Sequence, residues 1–287
     1  MKWNFSKQID PNFCERQFFK EVSIKLENNF RFPDSINLII TNYDDLTLPL
    51  FEPSMFNIVI YLSDEYGINK IWFNKVDLIF RTYPRKGFCD NKKIFPIPCG
   101  LVMPDFVKYQ MEQPKKKLSE RRYDFFYSGQ LAPNRESFLS KIASITKNFN
   151  GILRNTASFR TGYSIDEYFQ IMNESRISFV PLGKVIPESF RYMESFESGC
   201  VVITDFPIGE YKHLWYYKES PAIFTTNMAY PISEAFIKDI LDNIDTYYER
   251  NLKYYEDFLS TNAVAGYINH ITKQKIVYNF ENKDIIK

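Results

Sequence analysis

Short apolar runs separated by stretches of helical spacing organise the first part of the chain. SINLIIT (35–41), NIVIYL (57–62), VDLIFR (76–81) and KKIFPIP (92–98) are such runs, and each stops at polar residues or glycine. Between them, the segment from Phe13 to Asn28 has helical spacing and 66–75 reads as a short helix. Continuous apolar runs joined by helices predict a parallel sheet covered on both faces, because the crossover helices lie over the sheet.

The segment MPDFVKYQMEQPKKKLSERR (103–122) is polar, carries proline and a lysine cluster, and reads as a linker or boundary. The same logic then restarts. YDFFYSG (123–129) predicts a strand, NRESFLSKIASITKNF (134–149) a helix, GILRN a strand and SIDEYFQIMNES (164–175) a helix. Ser164 is the expected N-cap, with Glu167 three residues on as in a capping box. RISFVPLG (176–183) and AIFTT (222–226) are further strands, and the pattern from Ile232 to about Lys275 is helical almost throughout. The boundaries read as a first domain over 1–112, a linker over 113–122, a second domain over 123–231 and C-terminal helices over 232–287. The tyrosine-rich stretch TYYERNLKYYEDF (246–258) reads as ordinary packing. Crossing back to the first domain, dimerisation and membrane contact are all open to these helices. The predicted architecture is α/β, with two Rossmann-like doubly wound domains whose strand ends meet at a cleft.

Composition narrows the function classes. The chain of 287 residues is 45% hydrophobic and 25% charged, enough for normal cores and unlike a disordered chain. Its net charge of +1 gives no basic surplus for phosphate neutralisation, so no nucleic-acid partner is expected. Cys14, Cys89, Cys99 and Cys200 lack zinc spacing and read as reduced thiols. The N-terminus has no apolar signal-peptide core and no run is long enough to span a membrane. A cytoplasmic protein is expected, with peripheral membrane contact still compatible. His213 and His270 are the only histidines. HExxH, D-x-D, GxGxxG and Walker patterns are all missing, so neither a metal nor a bound cofactor is expected.

The residues that follow the runs differ between the two halves. In the first, Asn42, Asp44 and Asp45 follow SINLIIT, and Ser63, Asp64 and Glu65 follow NIVIYL. In the second, Gly129 and Arg135 follow YDFFYS, and Gly183 and Lys184 follow RISFVP. Loops are polar in general and Asp forms turns. The asymmetry points further, to an acid–base group on one wall and an anion cradle on the other. Group transfer from a phosphorylated donor needs both: a carboxylate to take a proton, and helix N-termini with basic side chains to hold a diphosphate.

The stretch ESFRYMESFESGCVVIT (188–204) predicts a helix starting near Pro187 or Glu188, a glycine stop and a core strand. At helical spacing Phe190, Met193 and Phe196 share one flank, and Arg191, Glu194 and Ser198 another. Glu188 reads equally well as a helix-start charge. Glu197 points away from the polar stripe and is expected to be structural.

SFRYMESFESGCVVIT resembles the signature of exostosin-like glycosyltransferases: Ser-x-Arg, a Glu, an aliphatic helix ending Gly-Cys, and a strand. DEYFQIMNESRISFVPLG and RRYDFFYSGQLAPNRESFLSKI are similar to the segments that precede it in that family. YLSDE, IFRTY and IPCG follow the order of xylosyltransferase-like members. The chain departs from the family in having Cys200-Val201-Val202 where a proline is usual. The resemblance implies a GT-B fold and metal-independent inverting transfer from a nucleotide sugar. It implies that Ser189 and Arg191 contact the diphosphate, that Glu194 takes the ribose hydroxyls, and that Arg135 and Gly129 face the phosphates. Gly183, Lys184, Glu188 and Phe190 complete the donor side. Asp64 and Glu65 are the candidates for the base, with Asp44 their rival.

The expected function is therefore a glycosyltransferase with a nucleotide-sugar donor, UDP-linked, and a glycan or glycolipid acceptor in surface polysaccharide synthesis. The alternatives are a retaining GT-B transferase, a non-catalytic nucleotide- or glycan-binding module, and an epimerase on the same two-domain plan.

Overall fold

The computed structural model describes residues 2–5, 15–29, 36–42, 51–63, 65–66, 70–83, 92–101, 115–158, 161–184, 188–206, 211, 213–225 and 232–283. The chain divides into two units, one of residues 1–100 with 259–287 and one of residues 101–258. Both are α/β with a parallel sheet, the Rossmann-like class that the hydrophobic pattern predicts.

The first unit holds β1 (Lys2–Phe5), α1 (Arg16–Asn29), β2 (Ile36–Asn42), β3 (Phe56–Leu62), β4 (Leu78–Arg81) and β5 (Ile94–Pro96), in sheet order β1-β2-β3-β4-β5. The pattern did not foresee β1, whose four residues are too few to show a period. The stretch read as a helix over 66–75 is a 3-10 turn at Ile71–Lys75. Ile39, Val59 and Ile79 are neighbours in register and pack with Tyr61, Trp72 and Val76 on one face. On the other face Phe80 meets Tyr267 at 6.3 Å, from the last helix of the chain. Covering on both faces explains why these strands read as unbroken apolar runs. The β3 and β4 strands end in left-handed residues, Ser63 (φ 51°) and Tyr83 (φ 58°), an uncommon conformation for side chains of this kind. Ser63 is held there by Thr82, whose Oγ1 accepts from its amide at 3.0 Å, and by buried Glu15, which accepts from its hydroxyl at 2.6 Å.

The second unit contains β6 (Tyr123–Gln130), α2 (Pro133–Ile145), β7 (Gly151–Thr156), α3 (Ile165–Asn173), β8 (Ser175–Val180), α4 (Phe190–Glu197), β9 (Val201–Thr204), β10 (Ile223–Phe224), α5 (Glu234–Asp242) and α6 (Asp245–Tyr254). A π-helical turn, Tyr255–Leu259, follows α6, and α7 (Thr261–Lys283), which belongs to the first unit, packs there on α1. The sheet order is β7-β6-β8-β9-β10. The chain runs outward from β6 to β7, then returns past β6 to β8 and continues the other way. Such a reversal makes a topological switch point between β6 and β8, and ligands of doubly wound sheets bind outside the strand carboxyl ends there.

Phe125, Tyr127, Ile177, Phe179, Val201 and Ile203 form one face of this sheet with α2 and α5, while Phe126, Met172 and Cys200 belong to the other, under α3. The expected capping box of α3 is present in both directions between Ser164 and Glu167. Gly199 ends α4 at φ 72°, the left-handed conformation of a helix stop.

Arg121 clamps the amino edge of this sheet and is almost wholly buried. Its Nη1 donates to Ser175 O at 2.8 Å, its Nη2 to Ser198 O at 2.6 Å, and Nε and Nη2 both reach Lys116 O at 3.2 Å. One guanidinium thus satisfies the carbonyls at the start of β8 and the end of α4, places where regular ladders leave acceptors unpaired. Arg121→Ala strips these carbonyls of their donors. Urea unfolding of the variant should show a loss of roughly 3–5 kcal/mol; a loss below about 1 kcal/mol would mean that water replaces the clamp.

Candidate functional site

The switch point of the second unit is built around one close approach. Arg191, in the first turn of α4, donates from Nη2 to the carbonyl of Ser128 near the end of β6. Its guanidinium lies over the Tyr127 ring, 4.8 Å from the centroid. This explains Gly129. A Cβ there would overlap Arg191 Nη2, with the guanidinium carbon at 3.1 Å and the Tyr127 hydroxyl at 3.2 Å. Gly129 is needed for space, since the end of β6 and a cation share the same volume.

The start of α4 is unusual in its cap. Ser189 is the N-cap, with extended backbone at φ −136° and ψ 138°, but its hydroxyl does not cap the helix. The first amides of α4 therefore lack the usual side-chain acceptor, beside a serine hydroxyl and the arginine. The helix begins at Phe190, later than the expected start near Pro187 or Glu188, because the Ser189 backbone is still extended. Pro187 lies outside the described residues. A helix of eight residues also cannot carry Ser198 on the Arg191–Glu194 stripe. Ser198 is instead the fully buried C-cap, at the end clamped by Arg121.

Glu194 does lie with Arg191. It is 6% exposed, and its Oε2 accepts from the Tyr168 hydroxyl of α3 at 2.9 Å. Burial raises the Glu194 carboxyl above the usual carboxylate range, while the Arg191 charge and the Tyr168 hydrogen bond pull it down. For Arg191, burial is the largest influence and acts against its charge, yet Tyr168, Tyr127 and Glu194 together carry its value above the ordinary one. Burial, and then the Glu194 charge, push Tyr168 well up, so its hydroxyl stays a donor.

Other expected residues have local duties. Arg135 donates from Nε to Leu182 O at 2.6 Å and from Nη1 to Gln130 O at 2.9 Å. Asn134 Nδ2 donates to Gly183 O at 2.8 Å, and Asp205 accepts from the Leu182 amide at 2.7 Å. Together they pin the turn after β8, bringing Gly183 to the same edge, where Lys184 is exposed. Burial and then Arg191 lower the Arg135 value, and burial raises that of Asp205. Glu188 is buried, with Oε1 accepting from the Tyr217 hydroxyl at 3.1 Å. Glu197 takes Lys115 Nζ at 3.0 Å, a structural ion pair as its position suggested. Of the first-unit carboxylates, Glu65 is half-buried, whereas Asp44 and Asp64 lie outside the described residues.

Tyr168, Tyr127, Asn134 and Asp205 were not sequence candidates. Asp205 directly follows the apolar run CVVIT and was open to the strand-end argument used elsewhere. Tyr168 reads as the apolar face of α3, one turn before Met172, and nothing in the chain links it to Glu194. Among the described residues no group of three or more His, Cys, Asp or Glu is placed to hold a metal, and no helix is long and apolar enough to cross a membrane.

No protein-family model matches the chain, and no curated protein matches it. Solved structures resemble it. TarM matches at a TM-score of 0.47 and 10% identity, over 82% of this chain and 54% of its own. The GtfA/B complex matches at 0.47 and 12%, over 88% and 60%. AviGT4, a glycosyltransferase involved in avilamycin A biosynthesis, matches at 0.45 and 10%, over 90% and 78%. The chain spans less than two thirds of the length of the first two.

The Gly129–Arg191 approach makes a coupling testable. Gly129→Ala should cost about 1–3 kcal/mol in urea unfolding, and less than half that in an Arg191→Ala background. Equal costs in the two backgrounds would show that the arginine does not dictate the glycine.

The raised Glu194 carboxyl gives a second test. A raised value means that folding favours the protonated form, so stability falls as pH climbs from the ordinary glutamate value through the raised one. Glu194→Gln is neutral throughout. Its melting temperature should equal or exceed the wild type's at pH 7, with the gap closing below the ordinary glutamate range. A variant that melts lower at pH 7 but not at acid pH would show the charge to be net stabilising.

Proposed function

We propose that the second unit holds the diphosphate and ribose of a nucleotide sugar, and that the protein is a GT-B glycosyltransferase. The observation that carries this is the setting of Ser189, Arg191 and Glu194 on one short helix whose start meets the carboxyl end of β6 at the switch point. The helix start offers a first turn without a side-chain cap, Ser189 a hydroxyl that does not cap it and Arg191 a fixed positive charge; all three suit a diphosphate. Glu194, along the helix, suits the hydroxyls of a ribose. Gly129 gives the Arg191 guanidinium room against the β6 backbone, setting its charge at the edge where the ligand would approach. Arg135 contributes through the turn it pins, and Gly183, Lys184 and Phe190 border the same edge. Glu188 serves the fold through Tyr217.

In the proposed reaction an acceptor hydroxyl oxygen bonds to the anomeric carbon as the bond from that carbon to the diphosphate breaks. The nucleoside diphosphate leaves with the electron pair, and its growing charge is met by Arg191 and the helix start. The hydroxyl proton passes to a carboxylate, assigned to Asp64 or Glu65, with Asp44 as rival. Attack from the face opposite the diphosphate inverts the anomeric centre. The resemblance of SFRYMESFESGCVVIT to the exostosin-like signature supports an inverting enzyme with a UDP-linked donor, and we assign the acceptor to a surface glycan.

Thermal shift of the purified chain with UDP, CDP, GDP and ADP tests the binding half. UDP should raise the melting temperature, and Arg191→Ala should abolish the rise. Asp64→Asn should keep the rise while turnover of the matching UDP-sugar drops about 100-fold or more. NMR of the product should show the inverted anomer. If no nucleoside diphosphate moves the melting temperature and no nucleotide sugar is hydrolysed or transferred, the proposal fails.

A further inference from the structure

The Tyr168 hydroxyl meets one of the two charged groups of α4, Glu194. It has a single proton, and it donates that proton to Glu194 Oε2 at 2.9 Å. The Arg191 charge acts on the same hydroxyl electrostatically. Arg191 and Glu194 attract each other but form no direct ion pair. Tyr168 therefore supplies the hydrogen bond that holds one oxygen of the Glu194 carboxylate. Glu194 Oε1 has no hydrogen-bond partner among the described residues.

The tyrosine is itself well fixed. Its ring meets Phe126 edge-on at 5.2 Å and Phe169 at 5.0 Å. The first turn of its helix is tied by the Ser164–Glu167 box. A hydroxyl on such a mount holds one carboxylate oxygen in place and sets the direction of the other.

We infer that Tyr168 is a positioning residue that aims Glu194 Oε1 at a ribose hydroxyl and thereby sets a preference for ribonucleotides over deoxyribonucleotides, an inference that rests on the nucleotide reading of this site. A ribose 2′-hydroxyl donates to Oε1. A deoxyribose brings no donor to that acceptor, and a site built to pair with a hydroxyl disfavours the ligand that lacks it. Without the tyrosine hydroxyl the carboxylate is no longer held in one direction. Both the ribose acceptor and the preference are then lost.

The test is calorimetric titration of UDP and 2′-deoxy-UDP into the wild type and Tyr168→Phe, with folding checked by melting. The wild type should prefer UDP about tenfold or more. In Tyr168→Phe the preference should fall below about threefold, with UDP weakened and 2′-deoxy-UDP unchanged. The pH below which UDP affinity drops should also move upward, because the hydrogen bond that lowers the Glu194 value is gone. Tyr168→His, which restores an N–H donor, should recover part of the preference, and Tyr168→Leu, which also lacks a donor, serves in place of the phenylalanine variant if that one does not fold. A full tenfold preference in Tyr168→Phe, or an equal loss for both nucleotides, overturns the positioning role. Failure of UDP to bind the wild type overturns the nucleotide reading itself, and the inference with it.

Discussion

A guanidinium occupies the space that a side chain on β6 would fill, and the site in the second unit depends on that contact. Arg191 reaches Ser128 O only because residue 129 has no Cβ. With the arginine there, the start of α4 is anchored to the end of β6, at the one point where the strand order reverses. The reversal leaves an open edge between outward and returning strands, and the arginine gives that edge its charge. Ser189 and Glu194 follow from the same helix, and Tyr168 from the helix beside it.

Keeping these charges buried has a cost in stability. Glu194, Glu197 and Asp205 are all raised by burial, so in each case the fold works against ionisation. The answers differ. Glu197 has Lys115, and Asp205 has the Leu182 amide. Glu194 has a hydroxyl on one oxygen and nothing on the other among the described residues. A half-satisfied buried carboxylate is poor design for stability and good design for a ligand that brings its own hydroxyl. The amino edge of the same sheet shows the contrast. There Arg121 is almost wholly paired with carbonyls, and it acts as a clamp.

Much of the architecture could be read from the sequence, because unbroken apolar runs between helices have few other solutions. The capping box at Ser164 and the stop at Gly199 are local signals and appear where the sequence puts them. Strand order is different. Nothing in the runs says that β7 lies outside β6, so the switch point emerges only from the pairing. Charge alone also misled in part. Arg135 drew notice as a cation after a strand, but its donors go to two backbone carbonyls. A sequence shows that an arginine is present; it does not show where the guanidinium points. Gly129 was picked out as a strand-end glycine, and the reason for it, an arginine far along the chain, is a tertiary fact. Tyr168 was hidden for the same reason, as one aromatic among many on an apolar face.

The central claim is that Arg191 and the start of α4 receive a diphosphate. A crystal structure of the protein with UDP tests it most directly. The account predicts both phosphates within hydrogen-bond distance of Arg191 or the Ser189 hydroxyl, with the ribose on Glu194. A nucleotide bound elsewhere, with Arg191 unchanged beneath Gly129 and Glu194 still tied only to Tyr168, would contradict it.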